Sequence, residues 1–128
     1  MILNSFPMAP SVNQTYRFGK RRMYKSKEAV LFDRAVTLYF ATMKEFIFGS
    51  FERDKKLRCS LEFHFEESKL FSKKRTIKRL DLDNRIKLTL DAISKHLNFN
   101  DCQIFELMVY KRLSFDDTNY TNVEILNL

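Results

Sequence analysis

Four aspartates, Asp81, Asp83, Asp91 and Asp101, fall close together in a chain whose formal net charge is +7. Carboxylates a few ångströms apart repel by about 4 kcal/mol at a surface-like dielectric, so a cluster of them calls for a counterion. Oxygen donors with no competing thiolate or imidazole set suit a hard divalent cation. Mg²⁺ is expected, with Mn²⁺ as its substitute. Mg²⁺ held by few carboxylates shares its shell with water and phosphate oxygens, where it polarises a phosphoryl oxygen and lowers the pKa of a bound water. The chemistry expected is phosphodiester hydrolysis at an ion held by some of these carboxylates. Lys87 lies four residues from both Asp83 and Asp91 and so shares their helix face. It is placed to stabilise charge building on the phosphate. The competing reading makes the same acids solvated surface groups and helix caps, and Asp83 or Asn84 at the head of a helix suits that role.

The acids follow the strongest basic run, Lys73, Lys74, Arg75, Lys78 and Arg79. A second group, Arg17, Lys20, Arg21 and Arg22, surrounds Gly19. Both sets are expected to contact a phosphate backbone. Charge alone fits DNA, RNA or an anionic membrane. No apolar run approaches the roughly 20 residues that span a bilayer, so no membrane partner is expected. "MILNSFPMAP" has neither a basic n-region nor a long apolar stretch and is not expected to be a signal peptide. Cys59 and Cys102 make no zinc or CxxC spacing, which predicts two reduced thiols in a cytoplasmic protein. His64 and His96 are expected to be ordinary surface or core histidines.

These groups need a scaffold, and 128 residues with 45% hydrophobic content predict one domain, residues 1–128, with its own core. "ILNSF" predicts a short strand and "MAPSVNQ" a loop. "YRFGKRRMY" predicts a hairpin about Gly19-Lys20 that carries the first basic group at its tip. Ser26 is placed to cap a helix whose apolar face is Ala29, Phe32, Val36, Tyr39, Met43 and Ile47, with Gly49 as its stop. "LRCSLEFHF" alternates as a strand with one buried face. Residues 66–80 read as a polar, basic connection. A second helix is expected over 83–97 on the stripe Ile86, Leu90, Ile93 and Leu97. "QIFELMVYKRL" is apolar on both faces and predicts a central strand covered by helices. A turn, "SFDDTN", and a last strand, "YTNVEILNL", follow. The fold class expected is α/β (α+β), a small mixed sheet packed with two main helices. If the backbone between Asp81 and Asp83 is extended, both carboxylates project from one face. Asp101, after the short loop "NFN", is expected near the start of the second helix or on its exposed flank.

The run "DLDNRIKLTLDAI" followed by "NDCQI" resembles the RusA family of Holliday junction resolvases, whose pattern is roughly D-x-D-N-x-x-K-x-x-x-D-x-L, a short loop, then D-D-x-Q. Asp81, Asp83, Asn84, Lys87, Asp91, Asp101 and Gln103 match it in order. Pro10, Asn13 and Tyr16 in "PSVNQTY", and Lys111 in "VYKR", extend the match. The resemblance implies a homodimeric, Mg²⁺-dependent endonuclease that nicks four-way DNA junctions symmetrically, in recombination, repair or phage DNA processing, without a nucleotide cofactor. It implies that Asp81, Asp83 and Asp101 hold the metal and that Lys87 is the active-site lysine, with Asp91, Asn84 and Asn100 as supporting residues. The chain departs from the pattern at Asn100, where an acid is usual, at Leu80, where proline is common, and in lacking a glycine in the loop before Asn100. A non-catalytic nucleic-acid-binding module of the same fold is the alternative.

Overall fold

The computed structural model describes residues 1–11, 16–18, 23–43 and 51–128. Its main sheet has four strands in the order β1 (Ile2–Pro7), β6 (Tyr120–Asn127), β4 (Leu57–Phe65), β5 (Ile104–Leu113). β4 runs antiparallel to β6 and parallel to β5, and β1 is antiparallel to β6, so the sheet is mixed. β2 (Tyr16–Phe18) and β3 (Met23–Lys25) form a separate antiparallel pair. The helices are α1 (Lys27–Ala41), the four-residue α2 (Glu67–Leu70) and α3 (Asp83–Leu97). The α/β class is as expected, with α2 added where only a basic connection was predicted. Four residues are too few to show a helical period.

Alternation along β4 sends Leu57, Cys59, Leu61, Phe63 and Phe65 into the core. His64, on the opposite face, is buried too, because its ring stacks on Tyr120 at 4.6 Å. Against the buried face pack Phe32, Val36 and Phe40 of α1 and Ile93 and Leu97 of α3. Phe6 is fully buried and meets the rings of Phe32, Tyr39 and Phe40 edge-on at 6.4, 5.3 and 5.9 Å. Truncating such a side chain costs about 3–5 kcal/mol.

α1 starts where the sequence places it, with the Ser26 hydroxyl accepting from the Ala29 N–H at 3.2 Å. It ends at Ala41, with Thr42 as the last cap, well before Gly49. Gly49 and Ile47 lie outside the described residues, as does the 19–22 tip of the predicted hairpin.

α3 has its expected bounds and ends without a glycine. Asn98 takes the left-handed conformation (φ 55°), which asparagine tolerates, and its N–H bonds the Ser94 carbonyl. The head of α3 differs from expectation. Its N-cap is Leu82, and no side chain caps it. Leu82 already has helical backbone (φ −77°, ψ −40°), so Asp83 sits inside the first turn rather than at the cap.

A larger correction concerns β5, which is an edge strand and not a central one. Leu107, Met108, Tyr110 and Leu113 are exposed on it. A strand apolar on both faces reads alike whether its own chain or another chain covers it. The central positions belong to β6 and β4.

Candidate functional site

Leu80, Leu82 and Ile86 pack toward the core, and the residues between them, Asp81 and Asp83, are left exposed at the head of α3. Asp81 has the Arg79 guanidinium 3.7 Å away. One turn along, the exposed Lys87 ammonium pairs with Asp91 at 3.3 Å. The predicted acid–lysine–acid line on α3 is therefore present. Arg85 points the other way. Its Nη1 donates to the Ala9 carbonyl at 2.5 Å, and its guanidinium lies 5.3 Å from the Phe65 ring. Burial pulls its pKa down, and its Nε is buried with no partner among the described residues. Arg85 thus ties the head of α3 to the segment that follows β1.

Asp101 sits at the other end. α3 runs fourteen steps from Asp83 to Leu97, about 21 Å at 1.5 Å per residue, and Asp101 follows beyond it. It lies in a one-turn 3-10 segment, Asp101–Gln103, built by reciprocal capping. The Asn100 Oδ1 accepts from the Cys102 N–H at 3.0 Å, and the Gln103 Oε1 accepts from the Asn100 N–H at 2.9 Å. Asparagine in place of the family's usual acid keeps the capping oxygen. Asp101 and Asp91 line one hollow of about 720 Å³ with Lys95, Asn100 and Gln103. Asp101 is thus not near the start of α3 as expected; it lies past the C-terminal end of the helix, on the hollow it shares with Asp91. Among the described residues, no three His, Cys, Asp or Glu side chains stand close enough to hold a metal ion. The donors are of the right type for Mg²⁺ or Mn²⁺, but one chain does not close the set.

Lys111 links the acids to the sheet. Its Nζ donates to the Leu80 carbonyl at 2.6 Å, next to Asp81. Ile104, at the start of β5, directly follows the Asp101 turn. The two acid groups therefore stand near opposite ends of one edge strand.

The loop 71–79 presents its cations outward. Lys73, Lys74, Arg75, Lys78 and Arg79 are all exposed. The loop is closed by a bridge between Phe71 and Ile77 and by the Ser72 N–H bonding the Thr76 carbonyl. Arg75 pairs with Glu67, and Lys78 Nζ donates to the Ser68 carbonyl at 2.7 Å. The predicted hairpin exists as β2 and β3, but Lys20, Arg21, Arg22 and the side chain of Arg17 lie outside the described residues, as do Asn13 and the side chains of Tyr16 and Asn84.

The sequence reading missed a third basic segment. The buried Gln103 donates from Nε2 to the carbonyls of Glu52 (2.9 Å) and Lys55 (3.0 Å). That clamp holds Arg53, Lys55 and Lys56, all exposed, beside the Asp101 turn. Lys56 Nζ lies 4.8 Å from the centre of the Phe105 ring. The signal was the cation density of "RDKKLR", Arg53, Lys55, Lys56 and Arg58, diluted in the sequence by Asp54.

Comparison with known proteins gives one family. The family model described as Endodeoxyribonuclease RusA matches residues 6–126. No curated protein matches the chain.

Proposed function

The chain belongs to the RusA family of endodeoxyribonucleases, and from that membership we propose that it nicks four-way and other branched DNA, as a Mg²⁺-dependent homodimer. The observation that carries this reading is the placement of the acids along β5. Asp101 precedes Ile104, and Lys111 holds Leu80 beside Asp81. Residues 104 and 111 are seven steps apart, about 23 Å along a strand.

A second copy pairing its β5 antiparallel about a two-fold near Leu107 and Met108 brings residue 104 of one chain opposite residue 111 of the other. The partner's Asp101 end then meets Asp81 and Asp83, and the same happens at the far end. Each site takes two acids from one chain and one from its partner. The exposed apolar edge supplies the reason to associate: Phe105 is 62% and Leu113 50% exposed in the single chain. Two symmetric sites suit a substrate with two equivalent strands.

Asp81, Asp83 and the partner's Asp101 would hold the ion. When bound, Mg²⁺ polarises the phosphate and lowers the pKa of its water. Lys87, on the same face of α3 as Asp83, stabilises charge gathering on the phosphoryl oxygens. The basic loop 73–79 binds the phosphate backbone beside Asp81 and Asp83, and the segment 53–58 does so beside Asp101. Such binding weakens steeply with salt, because neutralised phosphates release counterions.

The acids favour this reading over a non-catalytic binding module, since exposed carboxylates repel the phosphates that such a module must hold. The test is cleavage of a synthetic four-way junction with and without Mg²⁺, comparing the native protein with Asp83→Asn. Nicking that needs both the metal and Asp83 is expected. Equal nicking by the two proteins, or none at any metal concentration, would reject the enzymatic role.

A further inference from the structure

Phe115 is 99% exposed, more than any other large apolar residue among the described residues. It stands in the turn between β5 and β6, and that turn is pinned. The Ser114 N–H donates to the Phe65 carbonyl at 2.8 Å, and the Asn119 side chain accepts from the Glu66 N–H at 3.0 Å. Asp116 Oδ1 accepts from the hydroxyls of Ser114 and Thr118, both at 2.7 Å, and from the Thr118 N–H at 3.3 Å. Those bonds hold the Asp116 carboxyl below the usual carboxylate range. The next residue, Asp117, takes a left-handed conformation (φ 58°). An aromatic ring carried on so constrained a turn gives up little conformational entropy when something packs on it.

The surroundings indicate what that is. Asp117 shares a hollow of about 490 Å³ with Lys73, Arg75 and Lys78 of the basic loop. Phe115 is four residues beyond Lys111, so at most about 14 Å of chain separates it from the residue that holds Leu80 beside Asp81. An exposed aromatic, a set of cations and the Asp81/Asp83 pair thus occupy one end of the molecule. Of the turn's own acids, Asp116 stays ionised with its Oδ1 turned to Ser114 and Thr118, and the charge of Asp117 is offset by the cations that line its hollow. Backbone-tracking cations joined to an aromatic platform are what single-stranded nucleic acid binds.

We propose that Phe115 stacks on an unpaired nucleobase where the strands of a branched DNA separate, and so makes the protein prefer an open branch to continuous duplex. This rests on the nuclease reading above and adds to it a residue that chooses the substrate. Any base presents a π-face, so the contact is indifferent to sequence. It acts on the DNA at the branch and leaves the metal-site acids untouched.

The test measures binding by fluorescence anisotropy without added Mg²⁺, for the full chain on two DNAs. One is a fully paired duplex. The other is a four-way junction with unpaired bases and a 2-aminopurine at the branch. Phe115→Ala is expected to weaken junction binding about tenfold, equivalent to about 1.4 kcal/mol, and to lose the quenching of 2-aminopurine that stacking causes. Duplex binding and melting temperature are expected to stay at native values, and Phe115→Trp to restore both junction readouts. Equal weakening on both DNAs, no weakening on the junction, or an altered oligomeric state would overturn the proposal, the last by assigning the ring to a protein contact. Failure of the native protein to bind branched DNA at all would overturn the nuclease reading itself, an outcome distinct from the other three.

Discussion

The two edges of the main sheet are built to opposite ends. The β1 edge is broken. Its register slips between Leu3 and Phe6, Ser5 has positive φ (53°), and Pro7 ends the strand. The loose groups at the slip are taken up locally. The Ser5 N–H donates to the Asn122 side chain at 3.1 Å, and the Tyr39 hydroxyl donates to the Asn4 carbonyl at 2.7 Å. These features are how a sheet discourages another strand from adding to it. The β5 edge has none of them beyond Phe105. From Glu106 to Leu113 its register with β4 is unbroken, and apolar side chains are exposed on it. The contrast is what the proposed pairing through β5 requires: one edge blunted, the other left long and apolar. The acids lie at the two ends of that second edge.

The largest effect should come from charging the open edge. Leu107→Glu combined with Met108→Glu puts like charges opposite each other, because residue 107 of one chain faces residue 108 of the other in the symmetric pairing, at a cost of several kcal/mol. The pair is expected to convert dimer to monomer and to cut junction nicking by about a hundredfold or more. Ile2→Glu at the blunted edge is the control, with no change in either. Sedimentation and nicking rates check both. Equal effects at the two edges would break the comparison.

A smaller effect is expected from labelling thiols. Cys59 is fully buried, and burial pushes its pKa up to about 12, so it stays unreactive. Cys102 is exposed, next to Asp101. One maleimide per chain should attach under native conditions, at Cys102, and slow nicking by about tenfold because bulk there keeps the two chains' acids apart. Mass spectrometry locates the label. A labelled protein that nicks at the native rate would separate the Asp101 turn from the site.

Tyr39→Phe removes the hydroxyl that closes the β1 edge. It should cost about 1 kcal/mol in denaturant unfolding, with nicking intact. The smallest effect concerns pH at the far end of β5. The Asp116 carboxyl is held below its ordinary value by bonds from Thr118 and then Ser114. A depressed carboxylate contributes stability above its unfolded pKa, near 4, and that contribution is lost as pH falls through the lower folded value. The drop in melting temperature on acidification below about pH 4 should therefore be slightly smaller for Asp116→Asn than for the native protein.

Much of this was legible in the residues. β4 and α3 have their predicted bounds because periods of two and of 3.6 run through them without interruption. The acids and Lys87 stand out as candidates because their spacing sets them apart from the basic run. Four things were not legible. Whether a doubly apolar strand is central or at an edge depends on what lies beside it, which "QIFELMVYKRL" does not encode locally. The backbone at Leu82 is already helical, a fact of the turn it enters that the D-x-D spacing does not reveal. The separation of Asp83 from Asp101 follows from the length of α3, yet closeness along the chain suggested closeness in space. The clamp from Gln103 to Glu52 and Lys55 joins residues about fifty apart, and no short pattern announces it.

The most direct measurement mixes two inactive proteins. Asp83→Asn and Asp101→Asn are each expected to lose nicking. After unfolding together and refolding, half of the dimers carry one chain of each kind. If each site draws Asp81 and Asp83 from one chain and Asp101 from the other, a mixed dimer has both substitutions in one site and an intact second site. The mixture should then recover about a quarter of the native rate, as nicks in one strand only. If all three acids of a site belong to one chain, every site in the mixture carries a substitution. A mixture as inactive as its components, while the refolded native protein is active, would contradict the shared site.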